Sequence, residues 1–169
     1  MTAESSTSQR SAGQAWYTSL PMAIVSAGVL FFDESGRVML VRTTYKEDGE
    51  IPGGVVEAAR GEKPVQAACR EVAEELGITI APPPVLAIDS VPTADDRPAM
   101  LAFVFDGGVL DSRQLGKIRF VDGEIAEMKF CDADQIRDLL VPRLARRVIS
   151  SITARTSEGP WPAYLHHGT

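Results

Sequence analysis

Apolar and polar positions alternate in blocks along this chain, and each block change marks an element boundary. Met22–Phe32 (MAIVSAGVLFF) is the longest apolar stretch and reads as a buried strand. Asp33–Arg37 is a turn with Gly36 at its tip, and Val38–Arg42 reads as the returning strand of a β-hairpin. Thr43–Glu50 is polar and reads as a loop, followed by Ile51-Pro52-Gly53-Gly54 and a short extended run, Val55–Glu57. From Pro64 to Leu76 the period changes to that of a helix, with proline in its first turn and Gly77 as its C-terminal cap. Val85–Val91, Met100–Phe105 and Glu127–Cys131 are further strands. Asp132 or Asp134 caps a helix that runs to Leu140. Pro142–Thr153 is the last helix, and Ala163–Leu165 a short strand.

This order of strands, helix, strands and helices predicts an α+β fold, or a mixed α/β sandwich. The domain is expected over residues 21–155, between a Ser- and Thr-rich flexible arm at 1–20, carrying Trp16 and Tyr17, and a tail at 156–169. The length of 169 residues suits one domain at about 150 residues each, burying roughly 70% of its unfolded surface.

Composition narrows the function. The chain is 44% hydrophobic and 24% charged, with 23 acidic residues against 17 basic ones and a net charge of −6. That argues against a nucleic-acid polymer as partner, since phosphate backbones select a basic face. No run reaches the ~18 apolar residues of a membrane span. Met22–Phe32 is followed by DESGR, which is no signal-peptide cleavage site. Cys69 and Cys131 make neither a disulfide framework nor a zinc site, and free thiols suit a reducing cytoplasm.

The chemistry concentrates in one helix. At about 100° per residue, Val65, Cys69, Val72 and Leu76 form an apolar stripe, and Glu71, Glu74 and Glu75 are expected on the opposite side. Like charges at this spacing repel by a few tenths of a kcal/mol per pair, and only Arg70 is nearby to offset them. Two readings remain open from the helix alone: a solvated acidic face, or a carboxylate cluster of the kind that Mg²⁺ or Mn²⁺ takes. Gly53 and Gly54 allow a backbone to approach a ligand closely. Glu57 and Glu62 bring further carboxylates near the helix start.

From Glu62 through Arg70-Glu71-Val72-Ala73-Glu74-Glu75-Leu76-Gly77-Ile78, the chain resembles the Nudix box, G-x5-E-x7-R-E-U-x-E-E-x-G-U with U aliphatic, and matches each specified position. The preceding IPGG is also similar to the family. One departure stands out: seven residues, not five, separate Gly54 from Glu62, with the surplus around Ala58–Arg60. This predicts a longer loop and leaves open how Gly53 and Gly54 sit relative to the carboxylates.

The resemblance implies a Nudix fold, a mixed β-sheet sandwiched between helices. It implies a MutT-like pyrophosphohydrolase acting on a nucleoside diphosphate linked to another moiety, with Mg²⁺ or Mn²⁺ as cofactor. Glu71, Glu74 and Arg70 would be the catalytic residues; Glu71, Glu74, Glu75 and the Gly53 carbonyl would hold the metal. Gly54 and Glu62 are supporting candidates. Glu124 and Glu127 are candidates for a ligand from a distant loop, ahead of Asp95 and Asp96. The implied partner is a nucleotide-type small molecule, and a homodimer is compatible with the family.

Two alternatives accompany this expectation. One is a non-catalytic Nudix-fold nucleotide-binding or sensor module, against which the three retained carboxylates speak. The other is an enzyme similar to isopentenyl-diphosphate isomerase, which would want a cysteine in the cleft, whereas Cys69 falls on the apolar stripe.

Overall fold

The central strand, β1 (Ala23–Phe32), is apolar at nearly every position because it is covered on both faces. In the computed structural model, which describes residues 15–95, 97–121, 123–157 and 162–169, its side chains divide by parity. Ala27, Val29 and Phe31 enter one core layer; Leu30 and Phe32 enter the other. The remaining strands are β2 (Val38–Thr43), β3 (Gly49–Glu50), β4 (Gly53–Val55), β5 (Val85–Val91), β6 (Ala99–Val109), β7 (Ile125–Cys131) and β8 (Ala163–His166). They form one mixed sheet in the order β3-β2-β1-β6-β5-β8, with β4 beside β1 and β7 beside β2.

Helices cover both faces. α1 (Pro64–Leu76) seals the first layer through Ala68, Val72 and Leu76, against Val29, Phe31, Met39 and Val41. α3 (Ala133–Leu139) and α4 (Pro142–Thr156) seal the second through Ile136, Ala145 and Val148, against Leu30, Phe32, Val38 and Leu40. α2 (Ser112–Leu115) is a single turn capped by Asp111, whose carboxylate accepts the Gln114 N–H at 2.7 Å. The mixed sheet between helices agrees with the expected fold class.

The hairpin is the main correction. β1 and β2 pair only at Phe32 and Val38. The edge of β1 that a hairpin partner would use is occupied by β4, in the register Ser26–Val55, Ala27–Gly54 and Gly28–Gly53, and by Pro52, whose carbonyl accepts the Val29 N–H at 2.8 Å. β2 therefore builds its ladder with β7, and β1 pairs along its length in parallel with β6.

Smaller differences are local. The loop read at Thr43–Glu50 ends in β3, the extended run read at Val55–Glu57 is displaced to Gly53–Val55, and Asp132 rather than Asp134 caps α3. Asp132 wins because its carboxylate accepts the Asp134 and Gln135 N–H groups. Beyond residue 156, β8 lies parallel to β5 and joins the sheet. Within the arm expected at 1–20, residues 15–19 are helical and Trp16 and Tyr17 are exposed; residues 1–14 lie outside the described residues. Among the described residues no helix is long and apolar enough to cross a membrane.

Candidate active site

Local chemistry sets both ends of α1. Pro64 occupies the first turn, and the Lys63 N–H donates to the Gln66 side chain at 2.9 Å. Gly77 adopts φ 66° and its N–H donates to the Ala73 carbonyl. The surplus before the helix is absorbed by a 3₁₀ turn, Ala58–Arg60, closed by Gly61 at φ 73°. Gly53 and Gly54 thus stay directly against the helix, which answers the question raised by the longer loop.

Arg70 organises the carboxylates. Its Nε and Nη2 donate to Glu62 Oε1 and Oε2 at 2.8 and 3.2 Å. Its Nη1 donates to Glu71 Oε1 at 2.7 Å and Glu74 Oε2 at 2.9 Å, and its Nη2 also reaches the Val55 carbonyl at 3.2 Å. One guanidinium therefore spans three carboxylates and ties the helix to β4, a task its planar fork suits. Glu62 also accepts the Glu57 N–H at 2.7 Å, closing the loop over the 3₁₀ turn. Arg70 holds the Glu62 carboxyl below its usual value.

Glu75 is not on a solvent-facing arc. It is 8% exposed, and its Oε2 accepts the Gly53 N–H at 3.0 Å. The side opposite the apolar stripe is held by Glu74, whose side chain is 53% exposed. Glu75 stands about 60° from Val72 around the helix, close enough for β4 to bury it. Gly53, at φ 145°, leaves no room for a side chain: a Cβ would stand 2.2 Å from the Ala27 carbonyl oxygen. Gly54 is equally tight, with Glu71 Oε1 2.2 Å from a Cβ position. Glu71 is thus packed on bare backbone, and burial pushes its carboxyl above the usual value despite the opposing pull of Arg70.

A partly desolvated carboxylate of this kind gains from a cation. Glu71 packs on Gly54, Glu75 accepts the Gly53 N–H, and Glu74 shares Arg70 Nη1 with Glu71; carboxylate oxygens are the hard donors that Mg²⁺ or Mn²⁺ takes. Among the described residues no three acidic, histidine or cysteine side chains stand as a ready metal cage. Here the oxygens are held by Arg70 and by the Gly53 N–H.

The structure does not bring Glu127 to this cluster. Glu127 lies on β7 opposite Arg42, to which it is ion-paired at 2.7 Å. Both share strand parity with the core layer under α3 and α4, on the face away from α1. Glu124 precedes β7, and its carbonyl accepts the Thr44 N–H. Asp95 lies in the β5–β6 turn, while Asp96 is outside the described residues. Cys69 is half-buried beside the stripe and burial raises its thiol, so it is not activated.

Beyond Gly53–Gly54, a cleft of about 530 Å³ opens on the sheet face under α4. Ser26, Gly28, Ala102 and Val104 form its floor, Lys46, Asp48 and Glu50 one end, and Arg143 and Arg147 the wall from α4. The sequence reading missed these two arginines. The available signal was a basic residue at a buried helical position, Arg147, matched by a lone acid in an apolar strand, Asp89. The two form an ion pair at 2.8 Å in the core.

No curated protein matches the chain. Among solved structures, it is similar to a MutT protein from Methanosarcina mazei Go1, at 22% identity and a TM-score of 0.65, covering 81% of this chain and 98% of that one. A UDP-X diphosphatase gives 20% identity and a TM-score of 0.66 over 94% of this chain and 74% of the other. An ADP-ribose pyrophosphatase from Streptococcus suis 89-1591 gives 19% and 0.62 over 85% and 99%. At these identities the likeness speaks for the fold alone. The family model described as "NUDIX domain" matches residues 22–151, which takes in β1, the carboxylate helix and most of α4, and the chain accordingly belongs to the NUDIX family.

Proposed function

We propose that the protein is a pyrophosphohydrolase that cleaves the diphosphate bond of a nucleoside diphosphate linked to another moiety, with Mg²⁺ or Mn²⁺ as cofactor. The observation that carries this reading is the carboxylate cluster held by Arg70, with Glu71 packed on Gly54, while Gly53 and Gly54 also line a cleft large enough for a nucleotide. The neighbours named MutT, UDP-X diphosphatase and ADP-ribose pyrophosphatase support the reaction class. The latter two differ in the substrates their names state, so the names select none.

Each side chain has a task in this reading. Glu71, Glu74 and Glu75, with the Gly53 carbonyl, hold the metal. When bound, the cation supplies neutralisation of the phosphoryl oxygens and a bound water of lowered pKa. Arg70 keeps the carboxylates in register and limits their mutual repulsion. Glu62 locks the loop that precedes the helix, through the Glu57 N–H and Arg70. Gly53 and Gly54 let the β4 backbone reach the carboxylates. The general base is drawn from Glu71 and Glu74, the two carboxylates that share Arg70 Nη1.

The test is a panel of nucleoside triphosphates, nucleotide sugars, ADP-ribose and dinucleotides, assayed with Mg²⁺ or Mn²⁺ and scored by product. Release of a nucleoside monophosphate from at least one class is expected. Turnover should be abolished by chelation and fall at least about 100-fold in Glu74→Gln, a loss in the range of removing one transition-state charge contact. The melting temperature of that variant should be unchanged, since Glu74 is exposed. Binding without hydrolysis across the panel would instead indicate a non-catalytic nucleotide module.

A further inference from the structure

The cleft is electrically polarised. Near β4, Asp48 and the Lys46–Glu50 ion pair line it. Under α4 the charges are of the other sign. Arg143 and Arg147 stand one helical turn apart, Arg97 and Arg146 are close enough to act on Arg143, and among the described residues Asp89 is the acid that faces this group. In a chain of net charge −6 this concentration of cations is local.

Among the described residues, two observations indicate that the cationic end lacks a partner. The Arg143 side chain makes no hydrogen bond or ion pair among the described residues, and burial together with the neighbouring arginines depresses its pKa. Arg147 is 6% exposed and anchored by Asp89 through Nε at 2.8 Å, yet its Nη2 has no hydrogen-bond partner among the described residues. A buried charged donor left without an acceptor is costly, and such a group calls for an explanation, of which an absent ligand is one.

Register separates this end from the diphosphate site. Val55 on β4 lies beside Ser26 on β1, Ser26 beside Ala102 on β6, and Ala102 beside Asp89 on β5. Three strand spacings of about 4.8 Å put Asp89, the anchor of Arg147, roughly 14 Å across the sheet from the β4 edge. A single diphosphate does not reach both ends.

We infer that Arg143 and Arg147 form an anion subsite, so that the substrate carries a further phosphate or carboxylate group in addition to the diphosphate that is cleaved. This rests on the hydrolase reading above and narrows its substrate class. Arg143 makes the direct contact; Arg147, held by Asp89, supplies the second charge. The chemistry the subsite reads is a compact anion, whether phosphate or carboxylate.

Two matched pairs test it: NADP against NAD, which differ by one phosphate, and UDP-glucuronate against UDP-glucose, which differ by one carboxylate. Turnover is measured with Mg²⁺, and binding by calorimetry without metal. The wild type should prefer the more anionic member of at least one pair by about tenfold or more in kcat/KM and in affinity, as expected for a hydrogen-bonded charge pair. The pair that shows the preference identifies the anion. In Arg143→Gln the preference should collapse toward unity, and Arg143→Lys should retain part of it. Thermal melting confirms that both variants fold.

Equal treatment of both members of both pairs by the wild type overturns the inference. So does a preference that survives in Arg143→Gln. A binding preference without hydrolysis of any compound supports the subsite and overturns the hydrolase reading. Hydrolysis without preference does the reverse.

Discussion

A methyl group on Gly54 would stand 2.2 Å from Glu71 Oε1, and the atom in its way is the tip of a movable side chain. The backbone has no need to shift; Glu71 does. Gly54→Ala is therefore expected to leave the unfolding midpoint within about 1 kcal/mol of wild type, because alanine also restricts the unfolded chain. It should lower kcat/KM about 100-fold, since a misplacement of about 1 Å at a reacting centre carries that cost. Denaturant titration and steady-state kinetics on one preparation separate the two effects. A variant that loses stability and activity in proportion would mean that Gly54 serves packing alone. Gly53 differs: its added Cβ meets the Ala27 carbonyl oxygen on a neighbouring strand, so substitution there strains the sheet itself.

The helix carrying the carboxylates ends at Gly77 with φ 66°, and a Cβ there would meet the Arg119 carbonyl oxygen at 2.9 Å. Gly77→Ala should cost about 1–2 kcal/mol in thermal or denaturant unfolding, the usual penalty for a side chain in the left-handed region. This element was the most legible in the sequence, because its signals are local: Pro64 at the start, Val65, Val72 and Leu76 on one stripe, Gly77 at the end. The carboxylate spacing, with Arg70 as the nearby cation, was legible for the same reason. The burial of Glu75 was not, because its angle on the helix admits either environment and the sheet decides. The β-hairpin misled because the apolar pattern of β1 states that it is covered, not which strand lies beside it. Arg143 and Arg147 escaped notice because their meaning depends on a register running across four strands.

At the scale of the molecule, a buried ion pair joins three segments far apart in the chain. Asp89, fully buried on β5, accepts Arg147 Nε from α4 and the Gly168 N–H beyond β8, at 2.8 and 3.0 Å. The Gly168 carbonyl in turn accepts the Ser150 hydroxyl of α4 at 2.9 Å. Breaking one partner leaves the other charge stranded, so Asp89→Leu should destabilise the protein by about 3–5 kcal/mol in equilibrium denaturation. Pairing it with Arg147→Met should recover a large part of that loss, since apolar replacement of both charges removes the stranded group. Additive losses in the double variant would show that the pair is not the source of the effect.

The parallel pairing of β1 with β6 also governs how the chain reaches this state. Ala23 comes to rest beside Ala99 and Ala87 beside Ala163, so both the centre of the sheet and its β8 edge close only when distant stretches of chain meet. Such contacts demand large loop closures before they stabilise anything, which places refolding toward milliseconds to seconds rather than microseconds. During synthesis, the most apolar strand emerges early and waits for β6 before it can be covered. That interval is when the nascent chain is most exposed to aggregation and to chaperones.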